Sequence, residues 1–95
     1  MAAYVIADID VKDAAAYEEY KKGVAATVAK FGGRFVVRGG TVKSYEGAWS
    51  PKRVVVIEFP DMGKLDAWYQ SPDYKPLLDM RLAATVGSLI AVEGA

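Results

Sequence analysis

Cysteine and histidine are both absent from the 95 residues. Their absence excludes disulfides, thiolate nucleophiles, Ser-His-Asp triads, imidazole ligation of haem and nearly all zinc sites. Acid–base chemistry falls to Asp, Glu, Lys, Tyr or the substrate. No run of carboxylates offers a hard-metal site, so neither metal nor cofactor is expected. Charge of one sign is also missing, with 12 basic and 12 acidic residues. The longest basic blocks are the pairs Lys21-Lys22 and Lys52-Arg53. Counterion release from nucleic acid needs a concentrated positive field, and no such partner is expected. Long apolar runs are missing too. The stretch Leu82 to Val92 falls short of the about 20 residues that span a bilayer. Met1 to Ala7 has no basic flank and is interrupted by Asp8. It reads as a strand and not a signal peptide, and the expected location is cytoplasmic.

What is present is ordinary globular composition, 53% hydrophobic and 25% charged. At this length one domain is expected, residues 1–95, because a second core would not fit. The runs Gly32 to Gly40 and Arg53 to Pro60 are read as paired strands at the centre of one small sheet. Each carries a charge that a strand buried on both faces would lack, Arg38 and Glu58.

Tyr4 to Val11 alternates with period two, placing Val5, Ala7, Ile9 and Val11 on one face. Asp13 is expected to cap a helix over Ala14 to Lys30, whose stripe is Tyr17, Tyr20, Val24, Val28 and Phe31. Gly32-Gly33 stops it. Arg34 to Arg38 is the second strand, with Arg38 on the face of Arg34 and Val36, and Gly39-Gly40 marks a bulge, a turn or a close backbone approach. Thr41 to Pro51 reads as a long hairpin connection with room for a strand extension, and Trp49 in it as a packing anchor of the kind that sits against a partner chain. Arg53 to Phe59 is the third strand, apolar on both faces. Asp61 caps a short helix carrying Leu65, Trp68 and Tyr69. For the next helix Asp73 is preferred to Ser71 as cap, since Pro76 then loses no needed hydrogen bond. Its inward stripe is Tyr74, Leu77, Leu78, Arg81, Leu82 and Thr85; Gly87 ends it, and Ser88 to Glu93 is the last strand.

This order predicts a ferredoxin-like βαββαβ fold of the α+β class, a four-stranded antiparallel sheet with helices on one face. Right-handed crossovers put the first and third strands in the middle. The uncovered face would expose a large apolar patch, so a homodimer is predicted, its two sheets sharing a barrel-like core.

The segments Gly32-Gly33-Arg34-Phe35-Val36-Val37-Arg38-Gly39, Glu46-Gly47, Arg53-Val54-Val55-Val56-Ile57-Glu58-Phe59-Pro60, Ala67-Trp68-Tyr69, Ser71-Pro72-Asp73-Tyr74 and Arg81 resemble domain of unknown function family 1330 over nearly the whole chain. The resemblance implies a dimeric α+β barrel. It implies no reaction, because that family has none assigned. The superfamily also holds cofactor-free monooxygenases, isomerases and haem-handling enzymes; those haem branches that use an axial histidine are excluded by composition.

Arg81 lies on the inward stripe of its helix, where a guanidinium needs a partner. Glu58 is the expected one. The pair reads either as an ion pair fixing helix to sheet or, with Arg81 as a clamp for a carboxylate or enolate, as the candidate catalytic residues; the third alternative is that Arg81 snorkels to solvent. An apolar wall would make Glu58 a base, whereas an arginine would keep it a plain carboxylate. Tyr17, Tyr20, Arg38, Trp68, Tyr69 and Tyr74 are the candidate ligand-binding residues, either core or the lining of a pocket between helices and sheet. Three functions compete: a cofactor-independent enzyme on a small, flat, anionic or aromatic molecule, a non-catalytic binding module for one, and a structural dimer with a polar cluster.

Overall fold

A computed structural model describes residues 1–95. Strand β1, Ala3–Val11, leads into helix α1, Ala14–Lys30, and edge strand β2, Arg34–Arg38. After a connection without regular structure come β3, Val54–Phe59, helices α2, Met62–Tyr69, and α3, Lys75–Ala84, and strand β4, Thr85–Glu93. The sheet is antiparallel throughout, in the order β2-β3-β1-β4. The βαββαβ arrangement is therefore the ferredoxin-like one, and β1 and β3 are central.

The alternation in β1 does what its period requires. Ala3, Val5, Ala7 and Ile9 are buried under the helices, while Tyr4, Ile6, Asp8 and Asp10 face the other way and are half-buried. In β3 the buried residues are Val55, Ile57 and Phe59. Helix α1 presents Tyr17, Tyr20, Val24 and Val28 to that face, started by Asp13, whose carboxylate accepts from the Ala16 N–H at 3.1 Å. Asp61 caps α2 likewise, taking the Lys64 N–H at 2.8 Å. Trp68 of α2 is fully buried, lies 4.2 Å from the Tyr74 ring centroid, and donates its indole N–H to Thr27 Oγ1 at 3.1 Å.

Several expectations are corrected. Arg34–Arg38 pairs with β3 as expected but is an edge strand, mostly exposed. A bulge between Phe35 and Val37 leaves Val36 unpaired, and the extra residue moves Arg38 to the helix side while Arg34 stays on the open side. Helix α3 begins one residue after Tyr74, and Asp73 does not cap it. Asp73 pairs instead with Lys30 of α1, and Ser71 serves the turn before the helix, its Oγ accepting the Tyr74 N–H at 3.1 Å. Pro76 keeps the harmless position expected of it. Leu82 is exposed, and Thr85 opens β4. Gly87 does not end α3, which stops at Ala84; it sits within β4 opposite Ile9, where a Cβ would collide with the Asp8 carbonyl. No strand extension forms over 41–51. Trp49 is 64% exposed and is held by its indole N–H on Asp8 Oδ2 at 2.8 Å. No helix is long and apolar enough to cross a membrane.

Candidate functional site

The sheet has two unlike faces, and they divide the candidate residues. On the open face Glu58 of β3 is fixed from both neighbouring strands. Arg34 of β2 donates Nε–H to Glu58 Oε1 at 2.7 Å, and Tyr4 of β1 donates its hydroxyl to Oε2 at 2.9 Å. The register brings all three together, since Glu58 is opposite Tyr4 on one side and Arg34 on the other. The hydrogen bonds from Tyr4 and Arg34 hold the Glu58 carboxyl below the usual carboxylate range, and the same contact raises the Tyr4 phenol. Glu58 is thus the plain carboxylate that an arginine partner makes, but its partner is Arg34.

Arg81 belongs to the helix side. The expected meeting of Glu58 and Arg81 does not occur, because the sheet stands between them. Period two along β3 puts Glu58 with Val54 and Val56, away from the helices that carry Arg81. Arg81 is 7% exposed and forms no salt bridge. Its Nε–H reaches Tyr74 Oη at 3.4 Å, and Tyr74 Oη lies 2.8 Å from Tyr20 Oη. Burial opposes the Arg81 charge, yet the phenol oxygens of Tyr74, Tyr20 and Tyr69 favour it, and the group is held above the ordinary arginine value. Burial, with Tyr74 alongside, pushes the Tyr20 phenol well above the usual range, so it stays a neutral hydroxyl. No fully enclosed side-chain nitrogen or oxygen lacks a partner, so the terminal Arg81 nitrogens open onto the adjoining space.

That space is a cleft between α1 and the sheet, with a cavity of about 30 Å³. It runs from Phe35 of β2 to Leu89 of β4 across an apolar floor that includes Val5, Ala7, Val55 and Ile57. Arg81, Tyr20 and Trp68, all buried, line it from the helices. Its exposed margin carries Lys21, Arg38 and Arg53. Arg38 lies over the Phe35 ring at 4.2 Å, and the Arg53 guanidinium lies 5.5 Å from the Tyr17 ring centroid while donating Nε–H to Tyr17 Oη at 3.1 Å. Gly39, at φ +73, makes this possible: a Cβ there would occupy the position of the Arg53 guanidinium. Glu18 pairs with Lys21 at 2.8 Å and also feels the Arg53 charge.

Of the candidate residues, Tyr17, Tyr20, Arg38, Trp68 and Arg81 line the cleft. Tyr74 stands behind Arg81, Tyr69 packs on Tyr74 and Trp68, and Glu58 is on the far face. Sequence reading missed Arg53 and Lys21. Strand β3 begins at Val54, one residue later than expected, but period two back from Val55 and Ile57 puts Arg53 on the helix side, a signal the sequence carried; Lys21 flanks the helical stripe. No three side chains of metal-ligating type come together. The cleft can neutralise an anion; no carboxylate lines it to act as a base.

Comparison with known proteins places this geometry in context. A family model described as Domain of unknown function (DUF1330) matches residues 2–95. None of the curated proteins matches the chain. Among solved structures, a protein of unknown function from Rhodopseudomonas palustris superposes with a TM-score of 0.82 at 18% identity, over 99% of this chain and 82% of that one. A dimeric ferredoxin-like protein of unknown function from a Jannaschia species gives 0.71 at 16%, over 99% and 100%. SnoaB, a cofactor-independent oxygenase from Streptomyces nogalater, gives 0.61 at 14%, over 99% and 92%. At these identities the likeness is one of fold.

Proposed function

As the chain belongs to the DUF1330 family, whose description assigns no activity, we propose a function from its own residues: binding a small, flat, anionic molecule in the cleft beneath α1, with Arg81 as the charge-recognising group. One observation carries the reading. Three of the four arginines, Arg38, Arg53 and Arg81, line this one cleft, and none of the three pairs with a carboxylate. A buried guanidinium without a counter-ion is costly, and an incoming carboxylate or enolate supplies what is missing. The cavity admits a head group the size of a carboxylate, while the body of the ligand lies against Tyr17 and Phe35 at the mouth. With Tyr20 a neutral phenol and no carboxylate among the lining residues, a molecule that reacts here arrives already ionised; the side chains stabilise its oxyanion and do not abstract its proton. This favours a binding protein over an enzyme with its own base. The test is Arg81→Met, read by ligand-induced shifts in melting temperature over a panel of aromatic carboxylates. The reading requires shifts in wild type that vanish in the variant while the variant stays folded. A panel silent on wild type refutes it.

The open face supports a homodimer. Val86 and Ile90 of β4 are 61% and 57% exposed, beside half-buried Ile6, Val54 and Val56. A second sheet laid on this face removes that apolar surface from water and encloses the Tyr4–Glu58–Arg34 cluster. Mass measurement at micromolar concentration tests it: wild type runs as a dimer and Ile90→Arg as a monomer, and a monomeric wild type ends the proposal.

A further inference from the structure

The cleft has two cationic poles. The inner one is Arg81, buried and without a counter-ion. The outer one is the pair Arg38 and Arg53, whose hydrogen bonds run to neutral oxygens only, the Lys21 carbonyl at 3.3 Å and Tyr17 Oη at 3.1 Å. Between the poles the floor is apolar, from Val55 and Ile57 to Val5 and Ala7. Resting on the anion-binding reading above, we infer that the ligand is a slender dianion, with one acid group at Arg81, an apolar middle at the mouth beside Tyr17 and Phe35, and a second acid group at Arg38 and Arg53.

Charge and geometry both favour this over a monoanion. A ligand with one acid group satisfies Arg81 and leaves two guanidiniums at the mouth without a carboxylate. Those guanidiniums are held in place, which favours recognition of a second group over mere attraction: Arg38 is laid on Phe35, and Arg53 is seated against Gly39 and Tyr17. Arginine forks bind carboxylate oxygens in pairs, so a fixed fork adds specificity beyond its charge. Glu18, which feels the Arg53 charge, is engaged by Lys21 and so repels the second acid group less. Small cavity volume selects against bulk, which fits an acid group entering end-on.

The experiment is calorimetric titration of the full chain, at low and at physiological salt, with adipate and terephthalate as dianions and hexanoate and benzoate as their one-headed counterparts. An exposed or half-exposed charge pair contributes about 1 kcal/mol or less, so a dianion is expected to bind roughly fivefold more tightly than its counterpart, with the advantage shrinking in salt. The double variant Arg38→Gln, Arg53→Gln is expected to remove that advantage, weakening the dianions more than the monoanions. Arg81→Met is expected to weaken all four. Equal binding of dianions and monoanions by wild type overturns the inference and leaves the anion site standing. Failure of all four to bind overturns both. An advantage that survives the double variant also overturns it, because the second acid group then lies elsewhere.

Discussion

Glu58 and Arg81 lie on opposite faces of the sheet. Glu58 is bonded to Arg34 and Tyr4 on the open face, whereas Arg81 lines the cleft beneath α1. Two groups separated in this way do not share an ion pair, a proton or a ligand. Stability changes in Glu58→Gln and Arg81→Met are therefore expected to add in the double variant within experimental error. Glu58→Gln combined with Arg34→Gln is expected to depart from additivity, since these two share a hydrogen bond. Chemical denaturation of the two cycles checks both, and strong coupling of Glu58 to Arg81 contradicts the structure.

Acid titration gives a second check on Glu58. Its folded carboxyl is held below the unfolded value by Tyr4 and Arg34. The stability this confers is fully present above the ordinary carboxylate range and is lost as pH falls through the folded value. Denaturation midpoints measured from neutral to acid pH are expected to fall more steeply in wild type than in Glu58→Gln. Parallel curves contradict the assignment. At the alkaline end the sign reverses for Tyr20, whose phenol burial raises above the ordinary value of 10.0. Its contribution is intact below that value and declines as pH rises past it, and Tyr20→Phe is expected to flatten that decline.

Trp68→Ala is expected to cost about 3–5 kcal/mol. The indole is fully buried, packs at a tilt against Tyr74 and Phe59, and anchors α2 to α1 through Thr27. Trp68 also walls the cleft, so the loss of packing is expected to loosen Tyr74 and, through it, Arg81. Thermal melts report the first effect, and weaker anion binding reports the second.

Gly87→Ala is expected to destabilise by about 3 kcal/mol, although alanine is the milder residue in most strands. The added Cβ meets the Asp8 carbonyl, which is backbone of the central strand and has nowhere to move without breaking the β1–β4 ladder. Hydrogen exchange localises the damage: amides of β4 are expected to lose protection first. A variant as stable as wild type contradicts the close approach.

Strand and helix existence followed from periodicity alone, because a buried face dictates spacing wherever it occurs. Thus Tyr17, Tyr20, Val24 and Val28 identified the face of α1, and Val5, Ala7 and Ile9 that of β1. The helix caps Asp13 and Asp61 were equally readable, since the chemistry there is local. Asp73 was not, because Lys30 of α1, distant in sequence, takes its carboxylate.

The amino-acid sequence by itself determined the order of elements, the sheet's antiparallel wrapping, the apolar open face and the absence of thiol and imidazole chemistry. Tertiary structure alone decided which charges meet. One unpaired residue, Val36, turns Arg38 from the open face to the cleft. Strand register, not proximity in sequence, gives Glu58 to Arg34 and Tyr4. Arg53 finds its place because a distant glycine, Gly39, leaves room for it. Hydrophobic burial repeats along the chain and leaves a periodic trace. An ion pair, or the lack of one, depends on a single register between segments far apart, and that leaves no periodic trace in the sequence.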